Sequence, residues 1–290
     1  MLGKLFKYDM RAGAKLMVPA SLFVIATTLF GTLALRFSCQ GVNAFPKGSV
    51  AADLFNAATA MVFGMSVVAL IFYAVASFIM VLVHYYRNLF TDEGYLTFTL
   101  PVSTSSLITS KMLASVLWIA VAAVITMGCI LVYVTFGPVP KGQLIYEDFY
   151  REVGELMRII GKEITVDIVF FLIETVVLVI VSVFGAVLQA YLAITIGAIV
   201  AKKHKILASV GFYYIINMAI SIVINIFTSV FLFGSSEFLE TGTLDIMTGT
   251  ASFIGVLHLY MIINIVFSLI IAITEFLVNR YLLKNKLNIQ

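Results

Sequence analysis

Six long, unbroken apolar stretches constrain this chain more than any other feature of its sequence. They cover about residues 17–35, 57–83, 113–136, 168–201, 208–233 and 251–278. Each is long enough to cross roughly 30 Å of hydrocarbon as an α-helix, which takes about 20 apolar residues. None shows the short apolar–polar alternation of a barrel strand, so helices are the spanning structure these stretches permit. They also explain the composition, 62% hydrophobic and 11% charged over 290 residues. Soluble domains hold roughly 45–50% and 25%. A water-soluble globule, a disordered chain and a cytosolic enzyme are excluded, because too much apolar surface would face water. The expected fold class is an all-α integral membrane protein with six transmembrane helices. The fourth stretch exceeds a crossing and should tilt or project.

The scarce charges give the orientation. Twelve Lys and Arg residues against three acids fall in the N-terminal segment, the loops after the second and fourth stretches, and the C-terminal tail, a balance of +9. The opposite loops hold six basic residues against ten acids, a balance of −4. Basic excess marks the cytoplasmic side, so both termini are expected there, in a multi-pass protein of the cell membrane. No cleavable signal peptide fits the start, because the first stretch is too long and follows a basic segment. Arg36 and Phe37 ahead of Cys39 do not suit a lipoprotein cleavage site. Residues 1–16 place Leu2, Leu5, Phe6 and Met10 on one helical face, with Lys4, Lys7, Arg11 and Lys15 mostly elsewhere. That pattern predicts an amphipathic interface helix ahead of a six-span domain at 17–290. The longest outer loop, 137–167, repeats apolar residues at helical spacing from Phe149 through Val153, Leu156, Met157 and Ile160 to Ile164. It reads as a second amphipathic helix, either extending the fourth span or covering an outer exit.

The segment between the second and third stretches is unlike a plain connector. It places Tyr95, Leu96, Phe98 and Leu100 on the expected cytoplasmic side, between the breakers Asp92-Glu93-Gly94 and Pro101. Ser103 or Thr104 is positioned to cap the helix that follows. Apolar residues in so punctuated a segment fit a docking surface for another protein, or a re-entrant piece packed on the chain's own helices.

With its basic amphipathic start, six spans and the stretch RNLFTDEGYLTFTLPVSTSSLITSK, the chain resembles the type-2 permease subunits of ATP-binding-cassette exporters, particularly small bacterial members. The topology covers the whole chain; the sequence-specific part is essentially residues 85–111. The resemblance implies a coupling segment seated on a partner ATPase, with Asp92, Glu93, Gly94, Tyr95, Leu96, Phe98, Leu100 and Pro101 as the contacting group. It implies a lesser contact at Lys202, Lys203, His204 and Lys205. It also implies a second permease copy or paralogue, and export of an amphipathic peptide, antibiotic or lipid-like compound from a bacterial plasma membrane. The chain carries no phosphate-cradling glycine loop of its own, so ATP hydrolysis would belong to the partner.

Within the membrane, Asn217, Ser221, Asn225 and Thr228 share one face of the fifth span. They predict either helix packing or the wall of a pathway or dimer interface. Ser182, Gly185, Gln189, Ala193 and Gly197 form a small-residue face on the fourth. Two acids lie at membrane depth, where each is a functional candidate by default. Glu275 is expected to pair with nearby Arg280, and Glu174 to be met by water near the outer boundary or to carry a cation or proton. An ATP-independent channel or ion-coupled carrier using Glu174 is the alternative function, and a partner-binding membrane scaffold is a third. Cys39, Cys129 and the three histidines show no disulfide or metal spacing. No protease motif is present, so a non-catalytic protein with no cofactor, no metal and no nucleic-acid partner is expected.

Overall fold

A computed structural model of the chain describes residues 2–39, 49–91, 94, 102–136, 151, 154–155, 158, 166–201, 203–241 and 246–286. Regular structure among them consists of six long helices: α1 (Leu2–Cys39), α2 (Val50–Phe90), α3 (Thr104–Phe136), α4 (Val166–Val200), α5 (Lys205–Thr241) and α6 (Ile246–Asn285). All six are long and apolar enough to cross a membrane, which makes this a multi-pass membrane protein. The expected helix at 137–167 lies largely outside the described residues. So do Asp92, Glu93, Tyr95, Leu96, Phe98, Leu100, Pro101 and Lys202.

The helices outrun the apolar stretches that predict them, because a helix stops at a cap or breaker and not where hydropathy falls. The 40-residue α6 rises about 60 Å, twice the hydrocarbon thickness. The helix α1 continues without interruption from the cationic segment into the span and carries Pro19 inside it. A proline inside a membrane helix is tolerated where neighbouring groups re-satisfy the freed backbone. Ser49 caps α2, accepting at Oγ from the Ala52 N–H at 3.2 Å. Ser103 caps α3 in the same way, accepting from the Ser106 N–H at 3.3 Å. The expected cap is therefore Ser103, with Thr104 as the first helical residue. At the other end of that connector, the Gly94 N–H bonds to the Thr91 carbonyl at 2.7 Å. A Cβ at Gly94 would fall 2.5 Å from the Leu89 carbonyl oxygen, so only glycine fits this turn.

The chain divides into two compact units. One holds Leu2–His84 and Leu113–Lys162, so α1 with most of α2 and α3. Its core is Val24, Leu70, Tyr73, Ala122 and Cys129. Hydroxyls tie its helices together: Ser21 Oγ and Tyr73 Oη are 2.7 Å apart, and Tyr133 Oη donates to Ser66 Oγ at 3.0 Å. The other unit holds Tyr85–Met112 and Glu163–Gln290. In it α4 packs against both α5 and α6. Its core joins Ile108 of α3 to Leu188, Ala272 and Leu283, with Phe90, Met112 and Phe276 against it. Both flanks of the connector thus belong with α4, α5 and α6.

Candidate functional site

The helices α4 and α6 meet in a regular register. Thr195 Oγ1 lies 2.7 Å from Asn279 Oδ1, and His258 Nδ1 lies 2.9 Å from Glu174 Oε2. Leu188 and Ala272 share the core between them. Each pair is offset by 84 residues, so the two helices run parallel, and the three positions on α4 follow a seven-residue repeat. Such a repeat keeps one seam facing its partner over many turns. From Glu174 to Thr195 the seam rises about 31 Å, which matches the roughly 30 Å of a hydrocarbon core. The two polar clamps of the seam are thus about one hydrocarbon thickness apart.

At the Thr195–Asn279 end the clamp takes in the flanks of the connector. Tyr85 of α2 is wholly buried and stacks on Tyr191 of α4, with ring centroids 3.6 Å apart and planes 8° apart. Asn279 Nδ2 donates to Tyr85 Oη at 3.2 Å, and Tyr85 Oη lies 3.2 Å from Thr195 Oγ1. Tyr191 Oη donates to the Lys111 carbonyl at 3.3 Å. Ile108, also fully buried, completes the contact from α3. Satisfied polar networks of this kind fix one arrangement, because any slip strands a buried polar group. Tyr85 and Ile108 thus join the two described flanks of the connector to α4 and α6. Sequence reasoning missed Tyr191, Thr195 and Asn279. The signal was faint: Tyr191 and Thr195 are one turn apart on α4, and Asn279 is one turn beyond Glu275.

The other clamp is formed by Glu174. Its carboxylate meets His258, with both side chains largely buried and Phe171 edge-on to the imidazole. The structure adds a partner that the sequence reading did not name, an α6 histidine concealed by 84 residues of separation. The expected Glu275–Arg280 pair is not formed. Five residues place the two roughly 140° apart around a helix, so Arg280 is exposed while Glu275 is buried at 5%. Neither Glu275 oxygen has a partner among the described residues, and neither does Gln189 Nε2. A buried carboxyl without hydrogen bonds is a standing cost. Glu275→Leu is therefore expected to stabilise the protein by about 1–3 kcal/mol, read as a higher unfolding midpoint in detergent.

On α5 the polar stripe faces outward. Asn217, Ser221 and Asn225 are exposed and Thr228 is half-buried. Ser221 Oγ donates to Asn217 Oδ1 at 3.3 Å, and Asn225 Nδ2 to the Ser221 carbonyl at 2.8 Å. Each amide thus has one of its two polar atoms engaged along its own helix. The small face of α4 is buried at Ala193 and Gly197, and it exposes Ser182. Of the proposed docking group, Gly94 is the described member, and it is buried. Among the described residues no group of His, Cys, Asp and Glu is placed to hold a metal ion. No family model, curated protein or solved structure matches this chain.

Proposed function

We propose that the chain is the permease subunit of an ATP-driven exporter. In this reading both termini are cytoplasmic, and residues 85–111 form the coupling segment. A separate ATPase covers Tyr95, Leu96, Phe98 and Leu100, with Asp92, Glu93, Gly94 and Pro101 shaping the turns around them. The observation that carries the reading is the anchoring of both flanks of this connector on α4 and α6, through Tyr85 stacked on Tyr191 and through buried Ile108. A connector held this way passes a displacement into membrane helices, which a plain loop would absorb. The exposed amide stripe of α5, Asn217 to Asn225, suits a pathway or a second permease, because lipid would not solvate it. The cargo that fits is an amphipathic peptide, antibiotic or lipid-like compound.

Purification of the tagged chain from its native membranes in mild detergent tests this. The purified material is expected to hydrolyse ATP, and Tyr95→Asp is expected to remove at least nine-tenths of that activity. A charge buried without a partner costs several kcal/mol at an interface. Absence of ATP hydrolysis, or its full retention in Tyr95→Asp, contradicts the assignment.

The Glu174–His258 pair supports a second reading, an ion-coupled carrier working without ATP. A membrane-embedded acid on a histidine is the arrangement proton pathways use. Transport that survives ATP depletion and is lost in Glu174→Gln would favour it.

A further inference from the structure

The seam between α4 and α6 buries one acid that neither clamp uses. Glu275 is 5% exposed, and neither of its carboxyl oxygens has a partner among the described residues. Its place in the seam is set by register. The offset of 84 residues that joins Thr195 to Asn279 and Glu174 to His258 puts Glu275 level with Tyr191 of α4. Asn279 lies one turn further along the same face of α6. The carboxyl therefore sits one turn from the buried network of Tyr85, Thr195 and Asn279. That network is where the described flanks of the connector are anchored.

No cation pairs with Glu275 among the described residues. At its level α4 presents the Tyr191 phenol, which donates to the Lys111 carbonyl. From α2 comes the Tyr85 phenol, already bonded to Asn279 and Thr195. Lys111 of α3 is buried, and its ammonium makes no ion pair with Glu275. On α6 itself, Arg280 and Lys284 are exposed. The helix α5 packs on α4, and its titratable groups from 206 to 236 are the phenols Tyr213 and Tyr214. A carboxylate in such a place keeps its desolvation cost, with neither donor nor cation to offset it. Binding a proton removes the charge. A proton also needs no shell of oxygen ligands, whereas a hard metal ion needs six or more.

We propose that Glu275 is a proton-binding site, and that the bound proton lets α4 and α6 close where the connector is anchored. Release of the proton leaves a carboxylate that must be met by water, which is admitted by parting α4 from α6 near Tyr191. Proton occupancy thus sets how firmly Tyr85 and Asn279 are held. The site rests on burial and register, independently of the transport assignment, and would hold if the chain were a carrier.

Infrared spectra of the full chain in phosphatidylcholine vesicles read a carboxylic acid directly. The wild type is expected to show the acid's carbonyl stretch at neutral pH and to lose it as pH rises. Glu275→Gln, whose amide copies the neutral acid in shape, should lack the band, and Glu174→Gln should keep it. Dicyclohexylcarbodiimide gives a second readout on the unaltered chain. The acid O–H adds across one C=N bond, its proton passing to nitrogen, and the acyl group then migrates to give a stable N-acylurea. Peptide mass is expected to place the adduct on Glu275, with labelling that slows about tenfold for each pH unit once the proton is lost. The folded seam holds a proton that the unfolded chain releases, so the wild-type unfolding midpoint falls with rising pH, more steeply than in Glu275→Gln. A band undiminished in Glu275→Gln or lost in Glu174→Gln, labelling that bypasses Glu275, or equal pH slopes in the wild type and Glu275→Gln overturns the proposal.

Discussion

Tyr85→Ala is expected to destabilise the protein by about 3–5 kcal/mol and to disconnect the connector from the membrane helices. Three losses coincide at this position. The ring stacked on Tyr191 disappears, a cavity opens where nothing was exposed, and Asn279 Nδ2 loses its acceptor. Tyr85→Phe separates the terms. It keeps the ring and the stack and removes only the hydroxyl, at about 1 kcal/mol. Equilibrium unfolding of the two purified variants in detergent checks the ratio. Under the exporter reading, ATP hydrolysis by the purified complex should persist in Tyr85→Ala while transport is lost, since the docking residues remain. Equal stabilities for the two variants would show that the stacked ring does not hold the connector.

Gly197→Val should be nearly as damaging, for the opposite reason. A Cβ at this position would sit 2.5 Å from the Ser209 backbone nitrogen and 2.6 Å from its Cα. Backbone cannot rotate out of the way as a side chain can, so α4 and α5 would have to separate. Overpacking against main chain costs about 3 kcal/mol, and here it also strips the Ser209 hydroxyl of its buried position. The loss should appear as a lowered unfolding midpoint and as faster proteolysis near residues 201–205. Gly185→Ala is the control, since a Cβ there meets nothing within 4 Å, and it should be neutral within about 0.5 kcal/mol.

The spans were legible because hydrocarbon imposes a simple rule: about 20 apolar residues make one crossing. All six helices follow it. The α3 cap was legible too, since Ser103 stands where a helix must restart after Pro101. Contact between distant helices was not. Tyr85, Thr195 and Asn279 sit among many aromatic and hydroxyl residues, and nothing local sets them apart. Only the shared offset of 84 residues exposes the seam, and it becomes meaningful once α4 and α6 are known to pack in parallel. Glu275 misled because closeness along the chain was read as closeness in space. The Glu275–Arg280 spacing of five turns the two away from each other, while Glu275 and Asn279, at spacing four, share a face. The unbroken α1 has a similar lesson. The sequence change at Met17 marks where polarity shifts, and the backbone hydrogen-bond ladder continues through it.

In the proposed exporter the connector between α2 and α3 docks an ATPase, and a single cysteine at position 96 would report that contact. Leu96→Cys is introduced with Cys39 and Cys129 replaced by serine, and the protein is cross-linked in native membranes with a short thiol–amine reagent. One cross-linked product with a nucleotide-binding chain is expected, its yield changing when ATP is added. A Leu96→Cys thiol that forms no such product, and reacts freely with a soluble maleimide from the cytoplasmic side, would contradict it.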